Sequence, residues 1–402
     1  MLNHNYTASF IGMEDAIVTN LEKDSRTTVI SLTMKRTPHK CPECKTLTDK
    51  IHDYRIQSVK DIPAFGTNVI LKIRKRRYVC PACNKRFYEN IPLLPKYQRT
   101  TNRLWAFIIN ELSQVRSMKD IARQANVSSA TVARTLKFLN FHPLSLPEVI
   151  SIDEFRGNAG GEKFQCILTN PKKKQVIDIL PDRKSESLYE YFSKFDNTDN
   201  VKYIVMDMSN LFRSCAKVCF PNAKIVADKF HVQRLVGWAF EQVRKDTQKS
   251  FHKDRRRYFK RSRRLMLKNI RDLKPDESEQ LSHMLSISKD LAQAYYLMHE
   301  FRKVMSSKDK NEAKKALSNW FMHVGVTDRQ RLSRFHQCID TFTNWQEEIL
   351  NAFDSGLSNG YTEGCNNKIK VIKPNAYGMR NFENFRARIL HVIFYALPQH
   401  LT

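Results

Sequence analysis

The sequence predicts a multidomain α/β protein, and three observations carry that prediction. Two Cys-Pro-x-Cys pairs, Cys41-Pro42-Glu43-Cys44 and Cys80-Pro81-Ala82-Cys83, bracket a hairpin-like stretch. Two short helical patterns joined by a polar turn follow between residues 103 and 140. Residues 201–231, VKYIVMDMSNLFRSCAKVCFPNAKIVADKFH, then spell two successive strand-to-helix units, each with an aspartate at the carboxyl end of its strand.

Length and composition set the frame. A chain of 402 residues that is 41% hydrophobic, with 11 glycines and 14 prolines, is long enough for two or three packed domains and is neither fibrous nor disordered. Its formal net charge of +27 repels itself in a compact state, so a polyanion such as nucleic acid is the expected partner. An anionic membrane is the rival partner, but no apolar run is long enough to span a bilayer and the first residues lack a signal-peptide pattern. The expectation is a soluble, cytoplasmic protein associated with the nucleoid. Of the nine cysteines, four sit in the two paired motifs and five are scattered singly in apolar contexts, a pattern of metal binding in a reducing compartment.

Residues 1–98 are read as an N-terminal region built on a zinc-bound β module. Each Cys-x-x-Cys turn presents two thiolates, so Cys41, Cys44, Cys80 and Cys83 supply the four soft ligands of a structural Zn²⁺. Four unliganded thiols are the alternative. Between the pairs, residues 57–62 and 69–73 read as strands around a turn, while residues 1–35 give little to place. Arg74, Arg76 and Arg77 lie in a basic, aromatic-flanked strand suited to phosphate contacts or, more plainly, to a solvated face.

Residues 99–142 are read as a helix-turn-helix. Ile121, Ala122 and Ala125 would face inward, Asn126-Val127-Ser128 would turn, and a second helix would pack Val132 and Leu136 while offering Thr131, Arg134 and Thr135 to the major groove. A small helical hairpin with no DNA role has the same pattern. A proline-punctuated linker, FHPLSLP, closes it.

Residues 148–245 are read as the first part of an α/β domain in the order β-β-β-α-β-α-β-α, the order of a ribonuclease-H-like sheet. Residues 246–354 form a basic helical insertion whose charge peaks at residues 253–264, KDRRRYFKRSRR, and residues 355–402 complete the α/β part. Asp153 at the end of the first strand and Asp207 at the end of the fourth would meet if those strands are neighbours. Glu363 would join them from a helix on which Glu363, Asn367 and Lys370 share one face, with Lys368 beside it to meet a phosphate. A lone aspartate at a β-α junction is more often a helix cap or a solvated loop residue. Three carboxylates together need cations, and hard oxygen ligands select two Mg²⁺ or Mn²⁺ ions able to drive in-line displacement at phosphorus.

Asp153 in SIDEF, Asp207 in VMDMS, the segment FPNAKIVADKFHV and the block SNGYTEGCNNKIKVIKPNAYGMRNFENFRARIL resemble the DDE transposases of bacterial insertion sequences, specifically the ISL-three family. The paired cysteines and the helix-turn-helix ahead of them fit the same family, so the resemblance runs from about Cys41 to near the end. It implies Asp153, Asp207 and Glu363 as the metal-binding triad, terminal-inverted-repeat binding by the amino-terminal half, strand cleavage and transfer into target DNA, and a homodimer or higher oligomer on DNA. Asp228 and His231 match a recurrent part of the pattern in a supporting role that the residues do not define, as does Asn367. The competing reading is a zinc-containing DNA-binding regulator descended from a transposase and catalytically inactive.

Overall fold

The computed structural model describes residues 11–139, 141–249, 251–261, 263–375 and 379–395. Ser262 of the basic run and residues 376–378 of the last sequence block lie outside the described residues. The chain forms two compact units, Met1–Phe141 with Lys368–Thr402, and His142–Asn367. Residues 355–402, read from the sequence as one part, divide between the two units after Asn367.

The first unit opens with strands β1 (Ala16–Lys23) and β2 (Thr27–Met34), a small pair β3 (His39–Lys40) and β4 (Leu47–Thr48), and the long hairpin β5 (Ile51–Ala64) and β6 (Thr67–Val79), with β7 (Arg86–Tyr88) on its edge. The order β1-β2-β6-β5 has β2 parallel to β6 and the other neighbours antiparallel. Phe65 and Gly66, with φ of 51° and 75°, make the two-residue hairpin turn, since positive φ at both central positions matches the twist of the strands it joins. Val69, Leu71 and Ile73 alternate inward against Leu32 and Val59. Beyond Ile73 the buried positions of β6 change parity to Arg76 and Tyr78.

Helices α1 (Asn102–Ser113), α2 (Met118–Gln124) and α3 (Ser129–Leu136) follow. The side chains of Thr101, Ser117 and Ser128 cap them by accepting backbone N–H groups three residues on, and Asn126 turns the chain between α2 and α3 with a φ of 52°. Their core of Leu104, Ile108, Leu112, Ile121, Ala125, Val132 and Leu136 also takes in Ala387 from the helix Phe382–Tyr395.

The second unit holds β8 (Val149–Phe155), β9 (Gln165–Asn170), β10 (Gln175–Leu180), α4 (Ser185–Phe192), β11 (Tyr203–Met206), α5 (Asn210–Cys219) and β12 (Lys224–Ala227). The sheet order is β10-β9-β8-β11-β12, antiparallel over the first three strands and parallel over the last three. Ile150, Ile152, Ile204 and Met206 face a core with Leu188, Phe192, Phe212 and Phe220, while Val149, Val205 and Val226 face the other way, against Ala352.

Only helices occur among the described residues between β12 and that second face: α6 (Lys229–Lys249), α7 (Lys253–Arg261), α8 (Arg263–Leu267), α9 (Pro275–Ser286), α10 (Lys289–Met305), α11 (Lys310–Gly325), α12 (Ser333–Asn344) and α13 (Gln346–Ser355). Leu291, Ala294, Tyr295, Met298 and Phe301 are buried, as their spacing requires, around Trp320 and Phe342. Arg263, in the basic run, is committed to the fold by its ion pair with buried Glu241. Two further helices, α14 (Gly360–Asn375) and α15 (Phe382–Tyr395), close the chain. Arg388 of α15 is buried and donates to the carbonyls of Leu112, Gln114 and Arg116, which tethers α15 to the end of α1.

Candidate functional site

Two clusters of metal-ligating side chains stand out among the described residues. In the first, Cys41 to Cys83, Cys44 to Cys80 and Cys44 to Cys83 are separated by 3.6, 3.4 and 3.4 Å between Sγ atoms. A tetrahedron with metal–sulfur bonds of about 2.3 Å has edges of about 3.8 Å, so the cage has the size of a zinc site. The two turns repeat one another. Cys41 and Cys80 donate N–H to the carbonyls of Thr46 and Lys85, Lys45 and Asn84 donate back to Cys41 and Cys80, and Lys45 and Asn84 both take positive φ.

The second cluster forms at the carboxyl ends of the parallel strands. Ile152, Met206 and Ala227 lie side by side on β8, β11 and β12, and the residues one step further along are Asp153, Asp207 and Asp228. Asp153 lies inside its strand rather than at its end, because β8 continues to Phe155 in its pairing with β9. Burial, reinforced by the neighbouring Asp207, pushes the Asp153 carboxyl up to about 7. Asp207, Asp228 and His231 present ligand atoms close enough to share one ion. His231 Nδ1 is 2.9 Å from Asp228 Oδ2 and 2.7 Å from Asp207 Oδ1. Burial opposes the imidazolium, but the two carboxylates outweigh it and raise His231 to about 9. Both carboxylates therefore share the one ring nitrogen, His231 Nδ1.

Helix α14 is fastened to this row by a buried polar ladder that the sequence did not reveal. Ser151 and Thr169 pair across β8 and β9, Thr362 Oγ1 donates to Ser151 Oγ at 2.9 Å and meets Thr169 Oγ1 at 2.8 Å, and Ser151 also contacts Asn359. The Asn359 N–H donates to Asp228 Oδ1 at 3.1 Å, and Asn366 Nδ2 donates to Asp153 Oδ2 at 2.8 Å. Of the expected triad only Asp207 belongs to the group within reach of one ion; Glu363, exposed in the first turn of α14, is three residues from Asn366 and therefore its neighbour on the helix surface. Asn366 Oδ1 is a buried oxygen with no hydrogen-bond donor, and Asp207 Oδ1 has only the His231 nitrogen that it shares with Asp228. Acceptors left without donors beside clustered carboxylates are what a hard divalent cation would satisfy, so the residues present fit one. Strand alternation is the signal that flags Ser151, on the same face as Asp153; nothing in the sequence singles out Asn359 or Asn366.

The expected DNA contacts divide. Arg134 and Thr131 lie on the open side of α3, Arg134 exposed with its guanidinium 3.1 Å from Thr131 Oγ1. Thr135 does not: it is fully buried and spends its hydroxyl on the Thr131 carbonyl, because it shares the packed face of Val132 and Leu136. Arg74 is exposed with its guanidinium 4.0 Å from the Tyr54 ring, and Arg77 lies between Asp53 and Tyr88. Arg76 is withdrawn as a phosphate contact, since it is buried and bound to Glu89 and the Met34 carbonyl. Lys368, Lys370 and Asn367 are exposed along α14.

A family model described as "Transposase", of the ISL3 type, matches residues 150–389, more than half of the chain. The chain belongs to the ISL3 family of transposases. Models for the zinc-finger of transposase IS204/IS1001/IS1096/IS1165 and for the helix-turn-helix domain of transposase family ISL3 match residues 37–83 and 89–139, the spans holding the four cysteines and α1–α3. The chain is 28% identical over 359 residues to the transposase for insertion sequence element IS1001 of Bordetella parapertussis, covering 87% of each chain. It is 22% identical over 285 residues to the transposase for insertion sequence element IS1557 of Mycobacterium tuberculosis, covering 64% of this chain and 61% of that one. A stretch of 124 residues is 35% identical to a Lactococcus lactis protein named ATP-dependent protease, covering 31% and 36% of the two chains. This ISL3 member has no G-x-x-x-x-G-K-[ST] phosphate loop of its own. Among its described residues no helix is long and apolar enough to cross a membrane.

Proposed function

We propose that this ISL3 protein is a transposase that binds the terminal inverted repeats of its insertion sequence and catalyses DNA cleavage and strand transfer by in-line phosphoryl transfer. The observation that carries the reading is the row of Asp153, Asp207 and Asp228 across three adjacent parallel strands, with Glu363 on a helix tied to that row through Asn366. The strand order β10-β9-β8-β11-β12, antiparallel then parallel, supports a ribonuclease-H-like domain.

Asp153, Asp207 and Glu363 would hold two magnesium or manganese ions, which when bound supply the positive charge that an in-line displacement at phosphorus requires. The protein's own residues do the positioning. Asn366 orients the Asp153 carboxylate, Asn359 and Asp228 fix the start of α14, and the ladder of Ser151, Thr169 and Thr362 sets the depth at which that helix lies on the sheet. In the first displacement water attacks the phosphodiester and the 3′-oxygen leaves, which frees a 3′-hydroxyl at the element's end; in the second that hydroxyl attacks a target phosphodiester, whose own 3′-oxygen leaves. Both use one centre, so no covalent protein–DNA intermediate is needed. End recognition falls to α3 through Thr131 and Arg134, with Arg74, Arg77, Lys368 and Lys370 at phosphates, in a dimer or larger assembly on two ends.

The test is cleavage and joining of labelled DNA carrying the element's ends by the purified chain. Magnesium-dependent nicks with 3′-hydroxyl termini, followed by joined products, are expected. The Asp207→Ala variant should lose both while still binding the ends. A wild-type chain that binds the ends but cuts with neither magnesium nor manganese, or an Asp207→Ala variant that cuts normally, overturns the reading.

A further inference from the structure

Helix α6 begins one residue after Asp228 and carries His231 into the acidic row, yet its outward face has no part in the cluster just described. Its inward face is Val232, Val236, Ala239, Phe240 and Val243, all buried. On the opposite face stand Phe230 and Trp238, 51% and 57% exposed, with exposed Arg234 midway between them. The Arg234 guanidinium is 5.6 Å from the Phe230 ring and 4.8 Å from the Trp238 ring, so the three side chains form one cationic and aromatic strip.

The eight helical rises from Phe230 to Trp238 make that strip about 12 Å long, the height of roughly three stacked nucleotides at 3.4 Å each. Gly237 lies within it, and a Cβ there would meet nothing within 4 Å, so packing gives no reason for glycine in mid-helix. Its effect is to leave low relief beside Arg234 and Trp238. A cleft of about 240 Å³ adjoins Phe230, Arg234 and Gly237 on one side, with Met298 and Phe301 in its wall. A second, of about 300 Å³, adjoins Trp238 on the other, with Gln242 and Arg334.

We propose that this strip is a stacking platform for unpaired nucleotides of the DNA strand next to the reacting phosphate. The inference rests on the reading of the acidic row as a DNA-cleaving centre. A duplex hides the faces of its bases, so exposed rings can stack only on bases that are unpaired or turned out of the helix. Arg234 suits the same occupant, since it can lie against a base and still meet a phosphate. The chain's charge of +27 complements a polyanion rather than a second copy of itself. The strip starts at Phe230, whose ring is edge-on to His231 at 5.6 Å, so a strand leaving the centre would run directly onto it.

The experiment compares two DNA probes on the full-length chain: the element's end as an intact duplex, and the same end with a short unpaired overhang containing 2-aminopurine. Wild type should quench the 2-aminopurine by stacking. Trp238→Ala should relieve the quenching and weaken overhang binding about tenfold, leaving duplex binding unchanged, while Trp238→Phe restores part of both. Equal losses on both probes, or none on either, overturn the proposal. So does a change in sedimentation with DNA binding untouched, which would assign the face to contact between copies. Quenching is read without cleavage. A chain that quenches but never cuts keeps the platform and loses the catalytic reading; one that cuts but is indifferent to Trp238 does the reverse.

Discussion

The thiolate cage and the acidic row are put together in opposite ways. Each half of the cage is a single turn that fixes its own two cysteines through backbone hydrogen bonds a few residues long. The acidic row draws each aspartate from a different strand and its helix from a point 213 residues beyond Asp153. A thiol pair can be neutral until a metal arrives, whereas buried carboxylates lose their hydration and repel one another from the outset, and Asp153 registers that cost, burial first and Asp207 second, in a carboxyl pushed up to about 7. Soft-ligand sites can therefore be built locally and tolerate drift elsewhere. A hard-ligand site of this kind exists only if sheet register and helix docking are both correct.

The largest expected effect separates the two directly. Cys44→Ser should abolish stoichiometric zinc and unfold the β3–β4 knuckle region, since structural zinc supplies on the order of 10 kcal/mol of folding free energy to such modules. Metal analysis and thermal melting read both, and manganese affinity at the acidic row should survive. Unchanged zinc content would remove Cys44 from the cage, and loss of manganese binding would mean the two sites do not fold independently. Next comes Glu89→Ala. It leaves the buried Arg76 guanidinium without its carboxylate, which should cost about 3–5 kcal/mol in denaturant unfolding of the N-terminal sheet. A cost near zero would return Arg76 to the surface and to the candidate phosphate contacts.

What the sequence made legible follows the same division. The cysteine turns declare themselves within four residues, and the α2–α3 turn within three, because the chemistry is local. In VISIDEF, residues 149–155, Ser151 and Asp153 share one face of the strand and Ile150 and Ile152 the other, as strand alternation requires. Strands β1 and β2 escaped notice because most of β1 is exposed and its apolar residues do not alternate cleanly. Arg76 misled because β6 changes its buried parity after Ile73, where pairing with β2 ends, and period-two reasoning carries straight through such a switch. Asn366 could not be found at all: an asparagine in mid-helix carries no periodic signal, and its meaning comes only from the distant strand it touches.

Asn366→Ala is accordingly the sharper probe of long-range assembly. If Asp153 holds metal as proposed, removing the hydrogen bond to its carboxylate should lower manganese affinity and cleavage by about 10- to 100-fold, with end binding unaltered. Titration calorimetry and single-turnover cleavage measure the two. Normal affinity with slow cleavage would mean that Asn366 acts on DNA rather than on Asp153, and no change in either would leave α14 positioned by the hydroxyl ladder alone.

The smallest effect tests whether the helix-turn-helix, the other locally legible element, is read as its exposure indicates. Arg134→Ala should reduce discrimination between the element's own ends and scrambled DNA by about 1–3 kcal/mol, the worth of one bidentate base contact, with little change in salt dependence. Arg74→Ala should instead weaken binding to both DNAs alike and shorten the salt slope by about one. Thr135→Val should leave end preference intact, because its hydroxyl is spent inside the helix on the Thr131 carbonyl. Competition binding at two salt concentrations distinguishes the three. If Thr135→Val relaxed end preference as much as Arg134→Ala, the face of α3 toward DNA would have to be rotated by about a hundred degrees, one residue's turn of an α-helix, and the buried side of that helix would have to open on binding.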